Sequence, residues 1–512
     1  MELVPPPDPA NVADYLLAQG RPDDIAITDR DGDHTYASLR SAVARLSLRL
    51  GRAVDAPGSR IGLVSGNSFF FVASYLAVMR SGHTVVPLAT VLTPGDATAK
   101  ARFVGCTTLL LDSPARGRFG DLARHMRTVL SEDALDGDAA VDLADVPAAA
   151  PAPEAALMFT SGTTGRPRAV RVTHANIMAN TSSIIDYLSL ARDDRMLVVL
   201  PFSYCYGLSL LHTHLRVGGS VSICDTLAFP ETVVSALRDE RCTGFAGVPS
   251  SYQLLLRASS LATAPLPSLR HLQQAGGRLP HAQVRDLAAA HPAARLFVMY
   301  GQTEATARLS YLPPEDIESR PGSIGRGVPG VTLRIADEDG RDVAVGDIGE
   351  IRARGANITA GYWDDPEASA AKYVDGELRT GDLARADADG YIYIVDRQAD
   401  FIKSWGFRVS SHEVEDAIME LPAVVAAAVV GRPDRDAGEA IVAFCVPRDG
   451  ADLAPEDITR HCATSLAKHL VPHDVRLVAE LPLNANGKTD KSVLKARADD
   501  EAIRQPEASR RR

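Results

Sequence analysis

The segment of the chain with the clearest chemical signature is a run of glycines and small hydroxylated residues that ends in cations. It follows the apolar residues 155–159 directly and reads Thr160-Ser161-Gly162-Thr163-Thr164-Gly165-Arg166-Pro167-Arg168. Small residues let backbone N–H groups approach phosphate oxygens closely, the hydroxyls add donors, and Arg168 adds positive charge. The string differs from the GxxxxGK[ST] loop of P-loop proteins. It predicts a polyphosphate-binding loop rather than an ordinary turn.

A second group of polar side chains comes just after a predicted strand, where the ligand sites of α/β proteins gather. It reads Tyr300-Gly301-Gln302-Thr303-Glu304. An aromatic ring can stack on a purine, a hydroxyl can reach a phosphate, and a single carboxylate can hold Mg²⁺ that keeps most of its waters. Taken alone, five such residues would more often be a turn with a capping Glu.

Two further segments supply a carboxylate and a lysine. Asp382 follows Thr380 and Gly381, and Arg397 lies a short distance further along the chain. A carboxylate that accepts from two adjacent hydroxyls is a common ribose contact. Lys488 lies on a Gly/Asn-rich loop that could deliver it into a site. Taken alone, Asp382 would be an ordinary loop residue and Lys488 a solvated surface residue.

The elements that must position these residues follow an α/β pattern. Continuous apolar runs such as 60–64, 84–88 and 296–299 alternate with helical patterns, which predicts parallel sheets covered on both faces. From residue 324 to residue 395 strands follow one another with few helices. We therefore expect an α/β fold, with a large N-terminal domain of parallel-rich sheets and a β-rich subdomain.

The pattern changes after Arg397 and predicts a small, mobile α+β domain at the C-terminus. Residues 410–413 form a capping box that begins a helix, and strand and helix patterns alternate beyond it. We place the domains at 1–396, with the acid and ATP sites, and at 397–512, with the Lys488 loop. The polar tail from residue 501 is predicted to be frayed.

Composition excludes several classes of protein. The chain has 512 residues, with 65 Asp and Glu against 54 Lys and Arg, so its formal charge is −11. This acidic balance disfavours nucleic acid as a partner, and no apolar stretch approaches the length that spans a bilayer. Six cysteines lie far apart without metal-ligand spacing, which favours buried thiols in a reducing compartment. A cytoplasmic protein without membrane contact is expected.

The four chemical segments, in this order, resemble the motifs of the adenylate-forming (AMP-binding) superfamily. This superfamily contains acyl- and aryl-CoA synthetases, adenylation domains of nonribosomal peptide synthetases, and luciferases. Gly349-Glu350-Ile351 and Gly361-Tyr362-Trp363 extend the resemblance, which runs from about residue 10 to about residue 495. Members activate a carboxylic acid with ATP and Mg²⁺, and most then transfer the acyl group to a thiol, commonly that of CoA. The resemblance implies an AMP-forming acyl-CoA synthetase that uses ATP, Mg²⁺ and CoA.

The resemblance also implies roles for the first two segments. Residues of the loop would hold the β- and γ-phosphates of ATP, namely Thr160, Ser161, Gly162, Thr163, Thr164, Gly165 and Arg168. Tyr300 would stack on adenine, and Thr303 would contact the α-phosphate. Glu304 would bind the metal ion.

The later segments would complete both half-reactions. Asp382 would bind the ribose hydroxyls beside Arg397, and Lys488 would bridge the substrate carboxylate and the α-phosphate. Family members rotate the small domain between the half-reactions, which would bring Trp405 and Gly406 to the pantetheine path of CoA. Gly406 has no side chain and makes room there, although a turn glycine is the alternative interpretation.

Three positions depart from the usual family pattern. Arg168 stands where a Lys is most common, so the positive charge is kept but is carried by a planar guanidinium group. Ala399 occupies the hinge, where many members carry Asp or Lys, and Tyr204 stands where many acyl and aryl ligases have His. A neutral Cys205 stands near the place where amino-acid-activating domains usually have Asp, which disfavours an amino-acid substrate.

The acyl-binding pocket is predicted to be apolar and to suit a fatty, alicyclic or aryl acid. Its candidate residues are Phe202, Tyr204, Cys205, Tyr206, Ala275, Gly276 and Gly277. The alternative is that these aromatic residues are ordinary core.

Several alternatives to the CoA ligase stay open from the sequence. One is transfer of the acyl group to a carrier-protein pantetheine or to an amine. Another, suggested by Arg168 and Ala399, is an enzyme that mainly thioesterifies a supplied acyl-adenylate, although an intact Lys488 argues against it. A nucleotide-binding scaffold without turnover is disfavoured because Glu304, Asp382 and Lys488 are all present.

Overall fold

The computed structural model of the protein describes residues 11–54, 56–137, 141–160, 167–397, 400–448, 450–484 and 487–504, with side chains described to residue 500. Within these ranges the strands form four sheets. Strands and helices are numbered separately, each in chain order.

The largest sheet has nine strands in the order β15-β14-β13-β12-β11-β9-β10-β1-β2 within the described ranges. These strands are β1 Ile25–Asp29, β2 Gly32–Thr35, β9 Arg195–Val198, β10 Ser220–Ile223, β11 Gly244–Gly247, β12 His271–Gln274, β13 Arg295–Tyr300, β14 Ser310–Leu312 and β15 Arg326–Gly327. Its central strands run parallel, and the two edges add antiparallel pairs.

A second sheet of six strands, in the order β6-β5-β3-β4-β7-β8, is also mainly parallel. These strands are β3 Arg60–Val64, β4 Thr84–Pro87, β5 Thr108–Leu111, β6 Thr128–Leu130, β7 Ala156–Phe159 and β8 Ala169–Val172. Because β7 and β8 pair antiparallel, residues 160–168 join two neighbouring strands at one edge of this sheet.

The two remaining sheets are smaller and largely antiparallel. One contains β16 Val331–Ala336, β17 Gly349–Gly355, β18 Tyr373–Val374, β19 Glu377–Ala386 and β20 Ile392–Arg397. The other contains β21 Ile402–Ser404, β22 Phe407–Val409, β23 Val424–Asp434, β24 Gly438–Pro447 and β25 Asp474–Leu477. No strand is shared between them in the described ranges. The domain boundary at 396/397 itself stays a prediction.

The helices cover the sheets and follow local signals in the sequence. They are α1 Val12–Leu17, α2 Tyr36–Ala53, α3 Phe69–Arg80, α4 Pro94–Phe103, α5 Ser113–Arg124, α6 His174–Leu188, α7 Cys205–Val217, α8 Pro230–Asp239, α9 Pro249–Ala258, α10 His281–Ala290, α11 Pro366–Lys372, α12 Ser411–Met419, α13 Pro455–Ser465 and α14 Lys491–Arg504. Ser410 caps α12 by accepting from the Glu413 amide, as the sequence predicts. None of these helices combines the length and apolar character that a membrane crossing requires.

The main core lies between the two large sheets. Helices α3 and α7 are buried on nearly every face there, and they pack against apolar residues of both sheets. This arrangement confirms the predicted α/β fold class. One local expectation is wrong: the predicted frayed tail begins too early, because α14 continues to Arg504, and the residues beyond it lie outside the described ranges.

Candidate functional site

The two described ends of the predicted phosphate loop lie at the edge of the six-stranded sheet. The Thr160 amide donates to the Arg168 carbonyl at 3.1 Å, which closes the base of the loop. The Arg168 guanidinium lies 5.6 Å from the centre of the Tyr362 ring. The predicted residues Ser161, Gly162, Thr163, Thr164 and Gly165 lie outside the described residues, as does the predicted hinge Ala399.

Glu304 contacts Tyr362 from the side of the nine-stranded sheet. Strand β13 ends at Tyr300, and a short 3-10 turn over Thr303–Ala305 presents the carboxylate. Glu304 Oε1 accepts a hydrogen bond from Tyr362 Oη at 2.8 Å. A Cβ atom at Gly301 would lie 1.8 Å from the Ala307 carbonyl oxygen, so no other residue fits there. The turn is therefore fixed, and Tyr362 links it to Arg168.

Asp382 lies at the centre of a second cluster beside Tyr300. Strand pairing places it opposite Arg397, whose Nε donates to Asp382 Oδ1 at 3.2 Å. Tyr300 Oη donates to the other carboxylate oxygen. Asp382 is only 6% exposed. The predicted adenine, ribose and cationic residues are thus in direct contact.

Lys488 reaches this cluster from the C-terminal part of the chain. Ser250 Oγ donates to the Gly487 carbonyl, which fixes the loop against the start of α9. The ammonium lies 5.5 Å from the centre of the Tyr204 ring. Burial, followed by the charge of Arg397, lowers the pKa of Lys488 below its ordinary value.

A cavity of about 750 Å³ joins these groups. Tyr300, Asp382, Arg397, Lys488 and Gly276 all line it. Tyr300 comes from the nine-stranded sheet, Asp382 and Arg397 come from the antiparallel sheet of β16 to β20, and Lys488 comes from the C-terminal loop. Such an arrangement can hold a nucleotide and present a cation to a reacting oxygen.

Two of the predicted acyl residues line this cavity, and the others lie in the core next to it. Cys205 Sγ lies 3.5 Å from Thr303 Oγ1, and burial raises the pKa of this thiol, so it is neutral. Gly276 and Gly277 line the cavity itself. The remaining predicted members, Tyr204, Tyr206 and Ala275, are buried in the adjoining core.

Phe202 is the predicted acyl residue that most resembles ordinary core. It is fully buried, and its ring centre lies 5.5 Å from that of Phe71. This is the alternative that the sequence left open for the aromatic residues.

The structure does not bring the predicted CoA-path residues to the cavity. Trp405 and Gly406 form the two-residue turn between β21 and β22, with φ of 53° and 81°. Such hairpin turns require positive φ at both central residues, which explains the glycine locally. Trp405 is 56% exposed, and its Nε1 donates to His473 Nε2 at 3.1 Å.

The sequence alone reveals neither Lys372 nor the hydrogen bond that Tyr362 makes near the site. Lys372 Nζ donates to the Thr380 carbonyl at 2.9 Å. Burial lowers the pKa of Lys372, although the negative charges of Glu304 and Asp382 act in the opposite direction. No motif marks it. Tyr362 does belong to a recognised motif, but only the fold reveals its hydrogen bond to Glu304.

The site fits Mg²⁺ better than a metal that needs several protein ligands. The described residues contain no group of three or more His, Cys, Asp or Glu that could hold a metal ion. Magnesium commonly takes one or two carboxylates together with substrate phosphates and water. Glu304, with its hydrogen bond from Tyr362, is the carboxylate that would hold it.

Comparison with known families matches most of the chain. Residues 17–363 match the family described as AMP-binding enzyme, and residues 413–488 match the AMP-binding enzyme C-terminal domain. The chain is 33% identical to a feruloyl-CoA synthase of an Amycolatopsis species over 473 residues, 90% of this chain and 94% of that protein. It is 30% identical to an indoleacetate–CoA ligase of Aromatoleum aromaticum over 493 residues, 92% of this chain and 94% of that protein.

Solved structures agree with the sequence comparison. ATP-bound MatB from Rhodopseudomonas palustris matches with a TM-score of 0.88 at 28% identity, covering 96% of this chain and 99% of that one. The amide bond synthetase McbA from Marinactinospora thermotolerans matches with a TM-score of 0.85 at 28% identity, covering 95% and 98%. The resemblance seen in the sequence motifs is therefore confirmed, and this chain belongs to the AMP-binding enzyme family.

Proposed function

We propose that the protein is an AMP-forming acid–thiol ligase that activates a carboxylic acid as its acyl-adenylate and transfers the acyl group to CoA. The observation that carries the proposal is the convergence of Tyr300, Asp382, Arg397 and Lys488 on one cavity. Its relatives over nine-tenths of its length bear the names of CoA ligases. Their aryl acids support an aryl or similarly apolar substrate here.

The chemical difficulty in the first half-reaction is the attack of a carboxylate on a phosphate of like charge. Lys488 would bind the acid carboxylate and an α-phosphate oxygen together, while Thr303 would donate to the phosphate. Tyr300 would stack on adenine, and Asp382 would accept from the ribose hydroxyls. Bound Mg²⁺, held by Glu304, would offset the charge of the phosphates. Catalysis of this kind depends mainly on positioning and charge stabilisation.

The two-domain organisation is part of the same proposal. Residues 1–396 would carry the acid and ATP sites, and residues 397–512 would rotate about Ala399 to bring Trp405 and Gly406 to the pantetheine path. The phosphate loop from Ser161 to Gly165 would close over ATP with Arg168. A cytoplasmic location and the absence of nucleic-acid partners stay predictions from composition.

A second candidate is transfer of the acyl group to an amine. The observation that favours it is the close structural match to an amide bond synthetase. A carrier-protein pantetheine, or thioesterification of a supplied acyl-adenylate, are further outcomes that the same experiment separates.

The experiment that tests the proposal measures pyrophosphate release from ATP with a panel of aryl, alicyclic and fatty acids, followed by product analysis with CoA or with amines. We expect acid-dependent pyrophosphate release and an acyl-CoA product. Amide formation without thioester would favour the second candidate. Thioester from synthetic acyl-adenylate without any acid-dependent release would favour the thioesterification enzyme.

The lowered pKa of Lys488 predicts an unusual alkaline limit for adenylation. The reaction needs the charged ammonium, which is lost as the pH rises through the lowered pKa. Activity should therefore fall at a lower pH than an exposed lysine, with a pKa of about 10.4, would allow. Lys488→Arg should move this limit upward, because arginine keeps its charge. Pyrophosphate-release rates across pH test this, and identical alkaline limits in both proteins would contradict it.

Gly406 offers a test of the CoA path that separates strain from steric block. Gly406→Leu should lower kcat/KM for CoA by about tenfold or more, with adenylation largely unchanged. Because φ is positive at this position, Gly406→Asn serves as the matched control, since asparagine tolerates this conformation better than other residues. If leucine and asparagine have equal effects on both half-reactions, the turn alone explains the glycine.

A further inference from the structure

Arg308 is a buried cation without a carboxylate partner in the described part of the chain. It follows the Thr303–Ala305 turn closely and is 1% exposed. Its Nε donates to Tyr187 Oη at 3.1 Å, and its guanidinium lies 4.7 Å from the centre of the Tyr206 ring. One terminal nitrogen, Nη2, is buried and has no hydrogen-bond partner. A buried charge left in this state is costly to a fold.

The neighbours of Arg308 do not supply a compensating negative charge. Burial raises the pKa of Tyr187, Tyr206 and Cys205, so all three are neutral at physiological pH. Arginine itself stays protonated in proteins. Among the residues that the structure describes, a hydrogen bond and the face of an aromatic ring are what offset the guanidinium charge.

A second unpartnered polar group among the described residues lies beside Tyr206. Gln273 is 0% exposed, and neither its side-chain nitrogen nor its oxygen has a hydrogen-bond partner among the described residues. Tyr206 Oη donates to the Gln273 backbone carbonyl at 2.9 Å. Buried amides are almost always paired, so two orphaned polar atoms here call for an explanation.

Strand alternation places the Gln273 amide on the Arg308 side of the sheet. Gln273 and His271 share one face of β12, and the His271 ring stacks on Phe297 with centres 6.1 Å apart. Phe297 in turn contacts Tyr187, which accepts from Arg308. The two unpartnered groups therefore lie on one face of the nine-stranded sheet.

A chain of ring contacts connects Arg308 to Lys488. The Lys488 ammonium lies over Tyr204, the Tyr204 and Tyr206 rings meet edge-on with centres 6.4 Å apart, and Arg308 lies over Tyr206. Lys488 would bind the reacting carboxylate, and Arg308 lies at the other end of this chain of contacts.

We propose that Arg308, assisted by Gln273, binds a second carboxylate on the substrate, so that the preferred acid is an aliphatic or aryl dicarboxylic acid. The inference rests on the proposed function and specifies its substrate. It modifies the expected apolar pocket at one point only, its inner end. The competing explanation is that Arg308 is a structural residue held by Tyr187 and Tyr206.

Matched substrates test the inference on the wild-type enzyme. Succinate, glutarate and terephthalate are each compared with the monoacid that carries an isopropyl group in place of one carboxylate, and with the corresponding monoamide. A site built to bind a polar group rejects the analogue that lacks it strongly. We expect kcat/KM for pyrophosphate release to favour at least one dicarboxylate over both analogues by about 100-fold or more. Equal or better turnover of the isopropyl acids throughout would overturn the inference and leave the ligase intact.

Variants then assign the preference to particular side chains. Arg308→Met, which keeps length without charge, should reduce the dicarboxylate preference to about tenfold or less, mainly through KM, whereas Arg308→Lys should retain part of it. Gln273→Leu should weaken it less. A merely structural role would lower activity with every acid in proportion and leave the preference unchanged. Failure of every acid to release pyrophosphate would instead contradict the proposed function.

Discussion

Replacing Lys488 with alanine should lower the rate of acyl-adenylate formation by about 100-fold or more, while thioester formation from pre-formed acyl-adenylate stays within a few-fold of wild type. Removing one donor that stabilises developing charge in a dry site typically costs about 100- to 1000-fold in rate. Lys488 is a half-buried cation at the cavity that also contains Asp382 and Arg397. In the second half-reaction the carboxylate has already been activated, so the same charge has no partner to stabilise.

The measurement follows the two half-reactions separately, by pyrophosphate release and by thioester formation from synthetic acyl-adenylate and CoA. Lys468→Ala is the matched control, because this exposed lysine lies on the same part of the chain but not at the cavity. It should leave both rates unchanged. Equal losses in both half-reactions of the Lys488→Ala enzyme would remove the proposed role of this lysine.

Replacing Glu304 with glutamine should lower adenylation by a similar factor, about 100-fold or more, and should raise the Mg²⁺ concentration needed for half-maximal activity. The variant keeps the shape of the side chain and loses its charge, which a hard cation requires. Tyr362→Phe is the matched comparison, since it removes the 2.8 Å hydrogen bond to Glu304 and retains the carboxylate. A hydrogen bond to a charged group contributes about 1.5–3 kcal/mol, so this variant should retain part of the activity.

Titration of pyrophosphate release with Mg²⁺ distinguishes a metal ligand from a structural residue. The Glu304→Gln enzyme should require far more Mg²⁺, and Tyr362→Phe should shift half-saturation in the same direction by less. Thermal unfolding serves as a control for folding of both variants. A Glu304→Gln enzyme with wild-type magnesium dependence would show that the metal ion is bound elsewhere.

Features of the fold that depend on local sequence pattern are predictable from the sequence. The strands around residues 60–64 and 84–88 and the cap at Ser410 follow from apolar runs and a hydroxyl before a helix, and all are present. The four chemical segments were recognisable because each is a contiguous string of residues. Their mutual contacts, such as Tyr300 with Asp382, follow once the sheets are assembled.

The site residues that the sequence does not reveal have another property in common. Lys372, Arg308 and Gln273 belong to none of the four chemical segments, and each gains its meaning from groups distant in the chain. Arg308, for example, contacts Tyr187 more than a hundred residues earlier. In the sequence, a single cation such as Arg308 between apolar and small residues indicates a surface position. The packing shows instead that it is buried.

The hairpin turn at Trp405 has a practical consequence for following this protein in solution. The chain contains two tryptophans, and the other, Trp363, has its ring covered by the Arg60 guanidinium at 4.7 Å. Because Trp405 is the more accessible indole, a soluble collisional quencher should act on its emission first. A Trp363→Phe protein would then carry a native fluorophore beside the residues assigned to CoA, so ligand binding could be read without a dye.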